Sequence, residues 1–358
     1  MPNDQLDLSF IIPTHDRTEL LAETIESVLN QTLRPKEIIV VDNGVEDRAA
    51  ATLAPFGDKV RLVKSTPHIV QIARNVGISL ASTDWIATLD DDDLLTPDYL
   101  AEMAKPMRDG RADIISSDHR KFRGSLHDMK TNFEKAPPGY WNDIPLPRSG
   151  EIWSFVGKFP LDRLLKRVPV YPSTMIIRRN FALEIGGYNP QMLGIKSEDL
   201  EFLIRALTYG HLSLVWKPLV HYRLHPGNDS ASADSKEIGR WRIFEFARQN
   251  HPDLPPYFKE SLELDMLERR RRVYATAHRL GDEKVTRELR GVLRTCDAVE
   301  LYKQAYRNGD RSLMQNLASL IPPDRWSLGL RARQLFSSTH APVVLRSVRK
   351  MLSKLKTR

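Results

Sequence analysis

Four consecutive carboxylates, Asp90, Asp91, Asp92 and Asp93, stand directly after the short apolar run Ile86-Ala87-Thr88-Leu89. Adjacent like charges repel, and at the end of an alternating strand some of them point back toward the protein, so a divalent cation is a natural way to stabilise them. The competing reading is a solvated acidic turn ahead of a helix that starts near Pro97; short acidic motifs match by chance too often for the cluster alone to decide. A second acidic pair, Glu198-Asp199, begins a helix in which Leu200, Leu203, Ile204 and Leu207 form the buried stripe, with Ser197 expected as N-cap and Gly210 as the stop. Acidic side chains at a helix start are expected from the dipole alone.

Strands and helices alternate through the elements that must position these groups. Apolar β-rich runs at Leu8–Ile12, Glu37–Val41, Val60–Val63, Trp85–Leu89 and Ala112–Ser116 read as strands. Between them, Leu20, Leu21, Ile25, Val28 and Leu29, then Ile69, Ile72, Ala73, Val76 and Leu80, recur at helical spacing. That alternation predicts a mostly parallel sheet covered on both faces, with ligands held outside the carboxyl ends of its strands, where the acidic run sits. From His119 to Tyr171 the pattern weakens into long loops with short elements. It returns at Ser173–Ile177, in the helix from Glu198 to Tyr209, and in two short strands, Leu212–Trp216 and Leu219–Arg223. The small polar stretch Gly227–Ser235 reads as a linker, and everything after it as helical, with tight turns at Gly281-Asp282 and Gly309-Asp310.

The chain has 358 residues, 41% hydrophobic and 8% aromatic, enough for two domains and a sizeable core. No run of eighteen apolar residues exists, and the N-terminus lacks the basic and apolar regions of a secretory leader, so a cytoplasmic location is expected. Cys296, the single cysteine, excludes an intramolecular disulfide and a thiolate cluster and is expected to be buried filler. Net charge is +7, but nine basic and no acidic residues follow Asp324, leaving 44 basic against 46 acidic residues in the body. Within that tail, Val344, Val348, Met351, Leu352 and Leu355 form an apolar stripe flanked by Arg and Lys. It reads either as an interfacial helix at an anionic membrane surface or as a terminal helix packed on the bundle. Nucleic-acid binding is not expected, because the tail lacks aromatic residues interleaved among its cations.

Six ordered motifs carry a resemblance: Ser9-Phe10-Ile11-Ile12-Pro13-Thr14, Glu37 to Gly44, Ala73-Arg74-Asn75-Val76-Gly77, Leu89 to Asp93, Ser197-Glu198-Asp199 and Tyr222-Arg223-Leu224-His225. Over about residues 6 to 230 the chain resembles glycosyltransferase family 2, of the GT-A fold. The resemblance implies an α/β, Rossmann-like GT-A domain at 1–230, then a helical domain at 231–358 with the basic amphipathic tail. It implies inverting, metal-dependent transfer of a sugar from a nucleotide-diphosphate sugar to a hydroxyl of a glycan or lipid-linked acceptor, in surface polysaccharide or glycoconjugate synthesis.

Residue by residue, the resemblance gives Pro13, Thr14, Arg17, Asp42, Arg74, Asp90 and Asp91 to the nucleotide and its phosphates. Asp92, Asp90 and His225 go to Mn²⁺ or Mg²⁺, with His221 as the alternative histidine and Asp93 free to cap the next helix. Asp199 becomes the general base on the acceptor hydroxyl, with Glu198 orienting it or contacting the acceptor. His15-Asp16, and Asn43-Gly44-Val45 after Asp42, depart from the residues common in the family at those places. No glycine-rich basic loop follows the first strand, which disfavours a nucleotidyltransferase, and no Gly-X-Gly-X-X-Gly supports dinucleotide binding. A catalytically silent glycan-binding scaffold of the same fold is the remaining alternative.

Overall fold

The computed structural model describes residues 5–46, 48–225, 233–322 and 325. Its chain divides into two compact units, Met1–Leu262 and Glu263–Arg358. The first unit begins with β1 (Gln5–Thr14), α1 (Thr18–Leu29), β2 (Arg34–Asp42), α2 (Ala49–Leu53), β3 (Arg61–Lys64), α3 (Val70–Leu80) and β4 (Trp85–Thr88). β1 pairs in parallel with both β2 and β4, and β2 with β3. These strands read as apolar runs because both faces are covered: Leu8, Phe10, Ile11 and Ile12 of β1 are at most 1% exposed. Each such side chain contributes about 1.5–3 kcal/mol by leaving water, so this apolar stretch of β1, between β2 and β4, anchors the parallel part of the sheet.

Beyond β4 the sheet becomes mixed. β5 (Leu94–Leu95), α4 (Tyr99–Asp109), β6 (Ile114–Arg123), β7 (Leu126–His127), β8 (Trp153–Gly157), α5 (Arg163–Lys166), β9 (Met175–Arg178), α6 (Arg179–Glu184), α7 (Asp199–Tyr209), β10 (Leu212–Arg223) and α8 (Ala233–Asn250) follow. The strand order is β3-β2-β1-β4-β9-β6-β10-β5, with β7 on β6 and β8 on β10. β9 lies antiparallel between β4 and β6, so the mostly parallel sheet that was expected is parallel from β3 to β4 and between β6 and β10 and is interrupted between them. The two short strands expected at Leu212–Arg223 are one strand, β10, whose register slips on either side of Pro218; proline has no N–H to give the ladder, and the irregularity absorbs it. β6 runs on to Arg123, well past the expected Ser116, because its second half pairs with β10.

Three expected details differ. Ser197 does not cap α7: it adopts φ +64°, Glu198 is the capping residue, and no side-chain hydrogen bond closes the turn. Cys296 is exposed. α8 begins at Ala233, inside the stretch expected to be linker, and belongs to the first unit, so the helical part expected from residue 231 is divided at 262.

The second unit starts within α9 (Pro256–Leu280) and continues with α10 (Glu283–Arg290), α11 (Thr295–Arg307) and α12 (Arg311–Ala318). The turns foreseen at Gly281-Asp282 and Gly309-Asp310 are there. Both glycines take positive φ, and Asp282 and Asp310 accept from the backbone N–H of Val285 and Leu313 at 3.0 and 2.9 Å, capping α10 and α12. Val273, Tyr274, Ala277, Val285, Leu289, Leu301, Tyr302 and Leu313 are among its buried side chains. No helix among the described residues is long and apolar enough to cross a membrane. The basic tail from Pro342 to Arg358 lies outside the described residues.

Candidate functional site

β4 ends at Thr88 and Leu89 is buried, so the four carboxylates leave the sheet at its carboxyl edge. They do not share one environment. Asp91 and Asp93 turn inward and are fully buried, Asp92 is 6% exposed, and Asp90 is partly open. The chain supplies its own compensation. Arg17 Nη2 meets Asp91 Oδ1 and Nη1 meets Asp92 Oδ2, both at 2.9 Å. Thr14 Oγ1 donates to Asp91 Oδ2 at 2.7 Å, and the Arg223 backbone N–H donates to Asp93 Oδ1 at 2.9 Å. Thr24 Oγ1 bonds the carbonyls of Asp91 and Asp93 and fixes the turn against α1. Burial pushes the Asp91 carboxyl up to about 7 against the pull of Arg17, and burial raises Asp93 well above the carboxylate range. Asp93 is therefore a buried anchor for β10 and not a helix cap.

Asp90 faces the other way. Arg74 Nη2 donates to Asp90 Oδ1 at 2.8 Å while Nη1 donates to Glu198 Oε1 at 3.2 Å. The Arg74 guanidinium is buried and lies 5.1 Å from the centroid of the Tyr188 ring. Burial alone would depress it; Asp90 and Glu198 outweigh that and leave its pKa raised. The rest of the Ala73–Gly77 motif builds this bridge. Asn75 Nδ2 donates to Tyr188 O and its Oδ1 accepts from Tyr188 N, both at 2.7 Å. Gly77 lets α3 lie directly on β1, since a Cβ there would stand 2.3 Å from Ile11 Cγ2.

Asp199, the first residue of α7, is half-buried beside Glu198 on the wall of a cleft of about 680 Å³. Burial, then the neighbouring Glu198 charge, pushes its carboxyl up to about 7 against the pull of Arg74. Pro13, Thr14, Arg17, Arg74, Asp90, Asp91, Asp92 and Glu198 line the same cleft. Asp42 does not: its Oδ1 accepts from Gly44 N at 2.8 Å and its Oδ2 from Lys64 Nζ at 2.6 Å, so it serves as a turn residue and Asn43 takes its place on the wall. His15 and His68 both hydrogen-bond Asn43 O through Nδ1, at 2.9 and 2.6 Å. Asp16 accepts from Val45 N and Glu46 N, which accounts for the departures from the family pattern at both places.

Of the two histidines left open, His225 meets the acidic run, its Nε2 3.0 Å from Asp92 Oδ2. His221 packs instead against the rings of His127 and Phe122. Among the described residues no three His, Cys, Asp or Glu side chains converge to hold a metal ion by themselves. The expected trio of Asp92, Asp90 and His225 is thus not assembled, because Arg74 draws Asp90 away. Asp92 and His225 do converge, and a carboxylate with an imidazole is a donor pair that would suit a divalent ion.

Several residues of the site escaped the sequence. Lys64, which holds Asp42, was not findable from the motif of Asp42, since only the pairing of β2 with β3 brings the two together. His119, Lys121 and Lys236 were not findable either, because their elements fall in the irregular stretch or beside the expected linker. His119 is buried between Tyr171 and Tyr222, ring centroids 4.9 and 5.6 Å away, and burial pulls its imidazole down to about 3.

Residues 9–185 match the family model described as Glycosyl transferase family 2. The uncharacterized glycosyltransferase YwdF of Bacillus subtilis is 29% identical over 64% of this chain and 78% of its own length. The succinoglycan biosynthesis protein ExoO of Rhizobium meliloti is 32% identical over 33% of this chain and 36% of its own. Among solved structures, S. aureus TarS 1-349 in complex with UDP-GlcNAc aligns over 88% of this chain and 90% of that chain, with a TM-score of 0.56 and 15% identity. At that identity the likeness is one of fold.

Proposed function

This chain belongs to glycosyltransferase family 2, with the GT-A fold, and on that premise we propose that it moves a sugar, with inversion, from a nucleotide-diphosphate sugar to a hydroxyl of a glycan or lipid-linked acceptor. It is an enzyme, as its glycosyltransferase relatives are, and the silent-scaffold reading falls away. The observation that carries the reaction proposed is the separation of carboxylates in one cleft. Asp92 lies with Arg17 and His225 at one place, while Asp199, raised to about 7, stands at the start of α7 with no guanidinium hydrogen-bonded to it among the described residues.

On this reading the donor diphosphate lies against Asp92, Arg17 and His225, and the base and ribose lie along Pro13, Thr14, Asn43 and the His15–His68 pair. Arg74 holds Asp90 and Glu198 in place and keeps the donor side separate from the acceptor side. The acceptor oxygen attacks the anomeric carbon as the bond from that carbon to the diphosphate oxygen breaks. The bonding pair leaves with the nucleotide diphosphate, and the hydroxyl proton passes to Asp199. One displacement without a covalent intermediate gives inversion. Mn²⁺ or Mg²⁺ held by Asp92 and His225 would neutralise charge on the departing diphosphate.

UDP is the first nucleotide to test, because the TarS structure of like fold contains UDP-GlcNAc. The ExoO relative is a succinoglycan biosynthesis protein, which supports a place in polysaccharide synthesis. The run of basic residues after Asp324 supports action at the cytoplasmic face of an anionic membrane. The test is a panel of nucleotide-sugars, screened for thermal stabilisation with and without Mn²⁺, since a ligand that binds only the folded state raises its apparent stability. A panel without a single stabilising donor would overturn the reading.

A further inference from the structure

The cleft carries a second group of cations besides the Arg17 that is bonded to Asp91 and Asp92. Lys121 of β6 and Lys236 of α8 line it, with Lys166, Arg167, Lys196 and Arg240. Arg17 and His225, by contrast, contact the acidic run directly. Lys121 and Lys236 form no ion pair with a described carboxylate. The Lys121 ammonium instead lies 5.3 Å from the centroid of the Tyr222 ring, its register partner across β6 and β10. Both are partly buried. Burial depresses Lys121, and the charge of Lys236 depresses it further; burial likewise depresses Lys236, opposed by Asp199. Two like charges, partly desolvated and without a paired carboxylate, are costly unless something anionic joins them.

The donor does not account for them. Its diphosphate has Arg17 and His225 at the acidic run, whereas the charge that acts on Lys236 is the proposed base, Asp199. The wall next to these lysines is aromatic: Tyr171 and Tyr222 flank His119, whose neutral imidazole adds no charge. Aromatic faces suit a sugar or polyol backbone, and ammonium groups suit a phosphate as point charges. We propose that Lys121 and Lys236 form an anion subsite for a phosphate group carried by the acceptor, next to the hydroxyl that Asp199 deprotonates. The proposal rests on the transferase reading above and names its acceptor class: a phosphorylated polyol or sugar, free or lipid-linked. More positive charge is gathered here than a single carboxylate would require, which favours phosphate over a uronic acid.

The test keeps the two anion sites apart by filling the donor site first. Full-length protein saturated with UDP is titrated by calorimetry with glycerol 1-phosphate, glycerol, glucuronate and, in detergent micelles, phosphatidylglycerol, whose headgroup carries a phosphate and free hydroxyls on a lipid. Glycerol 1-phosphate should bind the UDP-loaded protein, glycerol should not, and glucuronate should bind more weakly. Lys121→Gln and Lys236→Gln should each weaken glycerol 1-phosphate by about tenfold, as loss of one charge-assisted contact predicts, while UDP affinity stays within about twofold. Lys236→Arg should rescue most of the loss. Binding of phosphatidylglycerol more tightly than glycerol 1-phosphate assigns a lipid-linked acceptor, and the reverse a free one; both support the subsite. The proposal fails if the UDP-loaded protein ignores both phosphates, if glucuronate binds as tightly, or if the glutamine variants lose UDP as much as phosphate. Wild-type protein that does not bind UDP or any other nucleotide-sugar overturns the transferase reading itself, an outcome distinct from the others.

Discussion

Arg74 bonds Asp90 at 2.8 Å, and with its other terminal nitrogen reaches Glu198 at 3.2 Å. One buried guanidinium thus joins the end of β4 to the start of α7, the two places where the carboxylates of the site reside. Lysine has one point charge and cannot span both partners. Arg74→Lys is expected to lower kcat/KM by about ten- to a hundredfold, since misplacing a reactive group by about 1 Å is costly. Steady-state kinetics with the donor found in the nucleotide-sugar screen checks this. Wild-type rates in Arg74→Lys would show that the bridge does not position the site.

The Gly77 contact with Ile11 leads to a prediction about stability instead of chemistry. A Cβ at Gly77 would overlap Ile11 Cγ2, in the buried part of β1. Gly77→Ala is therefore expected to cost about 1–3 kcal/mol through overpacking, although alanine usually favours a helix. Thermal or urea unfolding reads the difference directly, and an unchanged or raised midpoint would mean that α3 can move off β1 freely.

How much of this was legible beforehand depended on sequence separation. The alternation of β1, α1, β2, α3 and β4 was readable because each element carries its own periodicity. The insertion of β9 between β4 and β6 was not, since it is fixed by pairing between Met175–Arg178 and strands some sixty or more residues away in the chain. In the site, Thr14, Arg74, Asp92 and Asp199 were named from short motifs and Arg17 from the resemblance beside them, and the structure brings them to one cleft. Asp42 was named by the same means and is turned to Lys64, because nothing in its own motif encodes the end of β3. Arg17's pairing with Asp91 and Asp92 also answers, within the chain, the repulsion that suggested a cation in the first place.

Asp92 is where a nucleotide-bound ion and the protein would meet. Asp92→Asn keeps the shape of the side chain but removes the charge facing Arg17 and His225. It should weaken nucleotide-diphosphate binding in the presence of Mn²⁺ and reduce transfer to background, with the fold retained by circular dichroism. Equal nucleotide affinity with and without Mn²⁺ in the wild type, or full transfer in excess EDTA, would remove the ion from the proposal.

The pH dependence of transfer separates the base from the donor site. Asp199 must be ionised to accept the acceptor proton, and burial together with Glu198 raises its carboxyl to about 7. A raised pKa means that the protonated, inactive form persists up to neutral pH, so kcat should rise with pH and level off above about 8, with an acid limb near pH 7. Asp199→Asn should bind donor normally, lower kcat by about a hundredfold or more, and abolish the limb. A limb that survives in Asp199→Asn assigns the titration elsewhere, and a parallel loss of donor affinity would place Asp199 on the nucleotide side of the cleft.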